Sequence, residues 1–354
     1  MTTRMAPGKT VASLFLATFR VDRTVMAEYL NHAIGLCLAM GLLSCESAFE
    51  PKTDFIDRPV LYGVLSPSIY GPTEQHIMLS QTYNAEGTRP PSNIIDRPIT
   101  SARVVLDIAG DEYVLEEALK AVPGTDGNPM LRHVYTASVE RFLPGQPAEI
   151  SVQLPDGRTL SARTTAPPMV HIMVSYPFNH GITTTVRGTK AGQAWTISWT
   201  ALEDHLYWPK LTILCEKETD GPYPEYLMQE VPMTFVRQGD RSVPVYPSCT
   251  WDPSCTFTFD AIDSAMAKLS EGDPDKQAYK IVYASFSVLI YDPHLARYYA
   301  SVHGSLDEYS IRSDPTTYTN VEGGLGVLGS ETGSGVPFTI DPFYAAAFGY
   351  RGGG

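Results

Sequence analysis

The chain has 354 residues, with 26 Lys and Arg against 39 Asp and Glu, for a net charge of −13. Charged residues are 18% and aromatic residues 10%, which excludes a disordered polyelectrolyte, a class built from high charge and few aromatics. No run of Lys or Arg forms the basic stripe of a nucleic-acid binder, and 28 Gly with 28 Pro suit a turn-rich β protein better than a helical bundle.

The first elements are two apolar stretches, 11–19 and 33–43. Each is shorter than the ~20 residues a helix needs to cross a bilayer. The second runs into Leu42-Leu43-Ser44-Cys45. An apolar segment followed by small residues reads as the end of a secretory signal. A cysteine directly after the small residue resembles the bacterial lipobox, in which that cysteine is lipidated and becomes the first residue of the mature chain. This predicts a signal peptide over 1–44, lipidation of Cys45, and a polar, Pro-containing tether over 45–57. One acyl chain holds a membrane marginally, whereas two or more anchor a protein stably. The start is open between Met1 and Met26, and both starts give the same cleavage point. Removing 1–44 takes away Arg4, Lys9, Arg20 and Arg23 but only Asp22 and Glu28, so the remaining chain is more acidic.

From Asp57 the pattern has period two, the mark of half-buried strands. Val60, Tyr62 and Val64 alternate with Leu61, Gly63 and Leu65. Further strands are predicted at 77–80, 104–108, 113–115, 134–137, 149–154 and 159–164. Short strands at regular spacing, divided by Gly, Pro, Asn and Asp, indicate a β-sandwich over 58–166. Asp156-Gly157, between Leu154 and Leu160, predicts a hairpin with both central residues at positive φ.

Ala166-Pro167-Pro168 is read as a domain boundary, because two prolines remove two amide donors and stiffen the chain. A second β-rich domain is predicted over 169–330, with strands at 170–176, 194–200, 206–216, 227–236 and 279–291. Trp195, Ile197 and Trp199 share one face, read as sandwich core in preference to a sugar platform. A helix is predicted near 261–270, with Asp260 as N-cap and Ile262, Met266 and Leu269 on one side. Another is predicted over 293–309, opened by Asp292-Pro293. Residues 331–354 read as a Gly-rich C-terminal tail.

Motifs for chemistry are sparse. Gly324-Leu325-Gly326-Val327-Leu328-Gly329 matches G-x-G-x-x-G, but no helix follows, so a tight β turn explains it better than a dinucleotide site. The histidines are scattered, and neither H-E-x-x-H nor paired C-x-x-C appears, so no metal and no cofactor is assigned. No nucleophile elbow or P-loop is present, so no catalytic residue is assigned. Asp111-Glu112 and Glu116-Glu117 are strand neighbours pointing to opposite faces, and read as solvated edges. Cys249 and Cys255 bracket a short loop and form a candidate disulfide in an oxidising envelope, with a pairing of Cys215 as the alternative. If Cys215 is the odd thiol, it is buried and inert. Tyr207, Trp208, Tyr223 and Tyr226 are candidate binding aromatics.

Several segments together resemble a known family. They are Leu42 to Cys45, Pro59-Val60-Leu61-Tyr62-Gly63-Val64-Leu65 with His76-Ile77-Met78-Leu79-Ser80, Ile99-Thr100-Ser101-Ala102-Arg103-Val104, Leu143-Pro144-Gly145, and Tyr318 through Gly329. Their order is similar to that in the Bacteroidetes-type outer-membrane lipoproteins catalogued as domain of unknown function four-two-four-nine. The resemblance implies an Ig-like or transthyretin-like sandwich at the N-terminal side and no catalytic residues to carry over. It also implies a location beside TonB-dependent outer-membrane transporters.

The expectation is therefore a mainly β protein of two β-sandwich-like domains, the second with two added helices. It is lipid-anchored at the outer membrane, on its periplasmic or cell-surface face. Its expected role is that of a non-catalytic binding or accessory module linked to TonB-dependent nutrient uptake. A TonB-dependent transporter and a glycan or peptide ligand are its expected partners. The alternatives are an envelope hydrolase whose residues converge only in three dimensions, and a passive structural lipoprotein. A pocket holding an Asp or Glu beside a histidine would favour the hydrolase.

Overall fold

The structure, a computed structural model, describes residues 57–82, 97–123, 129–174, 194–303 and 318–352. The predicted signal, Cys45, most of the tether, His180 and the helical extension beyond 303 lie outside these residues. The described chain is mainly β and sandwich-like, as its period-two patterning predicts.

Seven strands build the first half: β1 (Pro59–Leu65), β2 (Thr73–Gln81), β3 (Arg103–Ile108), β4 (Asp111–Pro123), β5 (Pro129–Val139), β6 (Pro147–Gln153) and β7 (Thr159–Thr165). Alternate residues point inward, so Leu61, Leu65, Ile77, Leu79, Leu106, Ile150, Val152 and Leu160 form one core. Burying each such side chain contributes roughly 1.5–3 kcal/mol. Strand β4 changes partner halfway: residues 111–115 pair with β3 and residues 116–123 with β5. This switch turns one sheet into two facing layers. Beside β7, Ser161 and Glu322 exchange backbone hydrogen bonds of 3.2 and 2.8 Å, which closes the layers against each other.

The β6–β7 hairpin forms where Asp156-Gly157 predicts it, but with another turn. The Gly157 amide donates to the Leu154 carbonyl at 3.0 Å, so Pro155 and Asp156 are the central residues. Proline fixes φ near the value that position i+1 of a type I turn requires. Only Gly157, at φ 89°, enters the left-handed region.

The second half contains β8 (Ile172–Val174), β9 (Ala194–Trp199), β10 (Leu206–Lys217), β11 (Glu225–Glu230), β12 (Thr234–Gln238), β13 (Arg241–Val245), β14 (Ser254–Thr258), β15 (Tyr279–Tyr291), β16 (Leu325–Phe338) and β17 (Arg351–Gly352). Its helices are α1 (Phe259–Lys268), α2 (Pro293–His303) and α3 (Pro342–Ala346). A three-stranded layer, β8-β9-β14, shares a core with the large sheet: Trp195, Ile197 and Trp199 cluster with Leu211, Ile213, Phe286 and Val288. The Trp199 ring meets Tyr207 edge-on at 5.4 Å, so the expected core role of this indole face holds. Helix α1 buries Ile262, Ala265 and Met266, with Leu269 just beyond it, as predicted. Its N-cap is Thr258 rather than Asp260, which lies in the first turn. Helix α2 begins at Pro293 as expected, and Asp292 Oδ1 accepts the Leu295 amide at 2.8 Å.

The two predicted domains need correction. Ala166 lies in the first core and Val170 in the second, so the Pro167-Pro168 break does separate two cores. Yet residues 57–354 are one compact unit. One sheet runs through both halves in the order β11-β10-β15-β16-β1-β2-β5-β4-β3-β6-β7. Strand β16 is the splice: residues 325–330 run parallel to β1, and residues 331–338 pair antiparallel with β15. Val321 and Leu328, placed by sequence in the second domain, complete the first core.

The predicted tail is likewise part of the body. Residues 331–338 are strand, and Ile340, Tyr344, Ala345 and Tyr350 are buried. The polar residues of β16 that disguise it as a loop have buried work. Ser330 Oγ donates to the Leu65 carbonyl at 2.8 Å, and Thr332 Oγ1 donates to the Pro167 carbonyl at 2.7 Å. Ser334 Oγ accepts the Val170 amide at 3.0 Å. These hydroxyls satisfy the Leu65 carbonyl at the end of β1 and the backbone groups of Pro167 and Val170, which lie outside the strands.

Candidate functional site

The four candidate aromatics do not form one platform. Tyr207 and Trp208 are neighbours on β10 and so point to opposite faces. Tyr207 is 1% exposed, and its hydroxyl donates to the Leu202 carbonyl at 3.2 Å and accepts the Leu202 amide at 2.7 Å. It is a core residue, and its place among the binding aromatics is withdrawn. Tyr207→Phe should lose about 1–2 kcal/mol, because the Leu202 backbone is left unpaired; urea unfolding measures this. Trp208, Tyr223 and Tyr226 are exposed. Trp208 pairs with Leu289, whereas Tyr226 stands opposite Glu216. Eight residues along β10 separate these positions by about 26 Å.

The candidate disulfide is absent: Cys215, Cys249 and Cys255 are free thiols. Cys255 lies within β14 opposite Ile197 and faces the core. Cys249 precedes the bridge between Thr250 and Tyr207, and its thiol bonds the Tyr299 hydroxyl on α2. The two side chains therefore serve different surroundings. Burial pushes the Cys255 thiol up to about 12 and the Cys215 thiol up to about 11, so both stay protonated and unreactive. The expected inertness of Cys215 agrees with this. The melting temperature should be the same with and without reductant, and a fall on reduction would restore the disulfide.

A cavity of about 720 Å³ brings Asp292 and His294 together with Asp107, Glu149, Arg163 and Thr164. This is the acid-beside-histidine arrangement that a hydrolase would use. However, Asp292 is 0% exposed. One carboxyl oxygen caps α2, and the other accepts the Thr164 hydroxyl from β7. Burial raises this carboxyl above the ordinary range, against the opposing pull of the Thr164 and Leu295 hydrogen bonds and of His294. His294 Nδ1 bonds the Tyr318 hydroxyl at 2.6 Å, and the two rings stack. Asp292 thus ties β7 to α2 and presents no open oxygen to a substrate. No group of three or more His, Cys, Asp or Glu able to hold a metal occurs among the described residues.

A second cavity, about 810 Å³, is a groove on the outer face of the large sheet. Its floor includes Gly333 and Gly335 of β16, with Tyr283 and Ser285 of β15 on one side. The β1–β2 loop brings Ile69 and Tyr70 to the groove, and Met169 joins them from the interdomain segment. Tyr70 is 95% exposed, and Ile69, Met169 and Tyr283 are also exposed. Direct cross-strand neighbours extend the apolar surface, since Tyr283 opposes Leu214 and Leu214 opposes Met228. Sequence reasoning missed this groove because its residues come from five separate segments. The one local signal was the alternating glycine of Thr332-Gly333-Ser334-Gly335 inside a strand.

No known family model matches the chain, and no curated protein matches it.

Proposed function

We propose that the protein is an exported lipoprotein, anchored to the outer membrane through Cys45, that works as a non-catalytic binding or accessory module. Its partner in this reading is a TonB-dependent transporter, the association implied by its resemblance to the Bacteroidetes-type lipoproteins. The anchor is supported by the apolar stretch ending in Leu42-Leu43-Ser44-Cys45. The observation that carries the binding role is the groove with its exposed rim of Ile69, Tyr70, Met169 and Tyr283. Contiguous exposed apolar surface of this kind marks interaction sites on folded proteins. The cavity that pairs an acid with a histidine supports chemistry poorly, because its acid is spent on a helix cap and on Thr164.

The test is an affinity pull-down of the tagged full chain from detergent-solubilised envelope. Co-purification of a TonB-dependent barrel in near-stoichiometric amount is the expected result. Recovery of the chain alone, together with turnover of esters, glycosides or peptides by the purified chain, would replace this reading with the hydrolase.

A further inference from the structure

The large sheet has two edge strands, β7 and β11, and the fold treats them differently. Along β7 the outward backbone groups are occupied. Ser161 exchanges hydrogen bonds with Glu322, and the Asn320 side-chain amide donates to the Arg163 carbonyl at 3.1 Å. Along β11 they are open. The Val231 amide donates to the Leu211 carbonyl of β10 at 2.9 Å, which sets the alternation. Glu225, Leu227 and Gln229 therefore bond β10, and Tyr226, Met228 and Glu230 turn their N–H and C=O groups outward. Among the described residues, the one hydrogen bond to these outward groups runs from the Gln229 side-chain amide to the Glu230 carbonyl, at 2.8 Å. A carbonyl has two lone pairs, so that oxygen can accept again. Folded proteins guard such an edge with Lys, proline, a bulge or a covering segment. Here Pro224 and Pro232 fall in the outward-facing set, one at each end, so they limit the open stretch without closing it. Between them stands no Lys or Arg, and Tyr226 and Met228 are 61% and 77% exposed.

The open stretch repeats one donor and one acceptor every second residue, about 6.8 Å apart. Another extended backbone carries the matching repeat, and a glycan or a lipid headgroup does not. The flanking charge selects the sequence on that backbone. Glu230 is held by Lys210 at 3.3 Å, Glu216 by Lys280 at 3.6 Å and Glu218 by Arg351 at 2.6 Å. Glu225 and Asp220 are exposed and have no ion pair among the described residues. Uncompensated negative charge is thus gathered at the end where β11 begins. A second copy of this chain would bring an edge of the same sign, since β11 holds two Glu and no base. We propose that β11 is the docking edge for an extended segment of a partner polypeptide, which joins the sheet as a further strand, apolar beside Leu227 and Met228 and bearing Lys or Arg beside Glu225. The proposal rests on the non-catalytic binding reading and names the chemistry of the segment bound.

The test uses the full chain in phosphatidylcholine nanodiscs, whose neutral surface does not attract a basic peptide. The probes are labelled Lys-Lys-Val-Thr-Val-Thr-Val and Glu-Glu-Val-Thr-Val-Thr-Val. The Lys peptide should bind saturably and about tenfold more tightly than the Glu peptide. The Lys peptide N-methylated at every residue has no backbone donors and should not bind. Amide hydrogen exchange over 225–230 should slow when the Lys peptide is present. Met228→Pro removes an outward N–H that β10 does not use, so it should weaken binding at least about tenfold while the melting temperature stays within about 4 °C. Glu225→Lys, at an exposed position, should reverse the order of the two peptides, and it keeps the test valid if the proline variant misfolds. Equal binding of the N-methylated peptide, or unchanged exchange over 225–230, would overturn the proposal. So would a peptide-free dimer that Met228→Pro abolishes, which would make a second copy the occupant. If the native chain binds neither peptide yet still retains a TonB-dependent barrel from the envelope, the docking edge fails and the binding reading stands.

Discussion

Gly326→Val is expected to remove a large share of the stability of the fold. Gly326 sits at φ 108°, in the region that favours glycine, where β16 runs parallel to β1 and opposite Leu61. An added Cβ would collide with the Leu61 carbonyl oxygen, a backbone atom that cannot swing aside. The backbone conformation alone costs a side chain about 1–2 kcal/mol. Overpacking adds about 1–3 kcal/mol. Against a total stability of about 5–15 kcal/mol, that loss is large. It also falls on the strand that joins the two cores, so both should feel it. Urea unfolding followed by circular dichroism should show a large drop in midpoint, and an unchanged midpoint would show that β16 does not splice the sheet.

The second large effect is at Asp292, and its sign depends on the replacement. Asp292→Leu removes the α2 cap and leaves the Thr164 hydroxyl without its acceptor. Losing a cap costs about 1 kcal/mol. Each buried polar group left unsatisfied adds about 1–3 kcal/mol. Asp292→Asn keeps a capping oxygen and removes the buried charge, so it should be tolerated. The pH dependence separates these contributions. Burial holds the folded carboxyl above its ordinary value, so the folded state binds this proton more tightly than the unfolded state does. The group therefore favours folding more as pH falls from neutrality toward the ordinary carboxylate range. Glu331, also raised by burial, acts in the same direction. The stability of Asp292→Asn relative to the native chain should be greatest at neutral pH and shrink on acidification. Urea titrations at neutral and mildly acid pH measure the gap, and a gap that widens on acidification would contradict this assignment.

Most strands were legible in the sequence because burial alternates along them. β3 and β9 each bury every second residue, and β15 spans the 279–291 predicted for it. The α2 start was legible because Asp292-Pro293 combines a capping carboxylate with a residue that cannot donate inside a helix. β16 was not legible, since its signals are nonlocal. Ser330, Thr332 and Ser334 look like loop residues until Leu65, Pro167 and Val170 arrive to bond them. Gly326 looks like a turn until Leu61 packs against it.

The site was less legible than the fold. Adjacent aromatics on a strand must part company, and composition does not say which of Tyr207 and Trp208 turns inward. The spacing of Cys249 and Cys255 allowed a bridge, but the partners of each side chain, Tyr299 for one and the β9 layer for the other, lie far away in sequence. The groove is assembled from residues near 70, 144, 169, 283 and 333, and no window of the sequence holds more than one of its walls.

The central claim is that Cys45 anchors this body to a membrane. Mass spectrometry of the N-terminal peptide from the membrane-extracted protein tests it most directly. A peptide beginning at Cys45 and carrying acyl chains is the predicted result. An unmodified peptide from within residues 1–44, still attached to the intact chain, would contradict it.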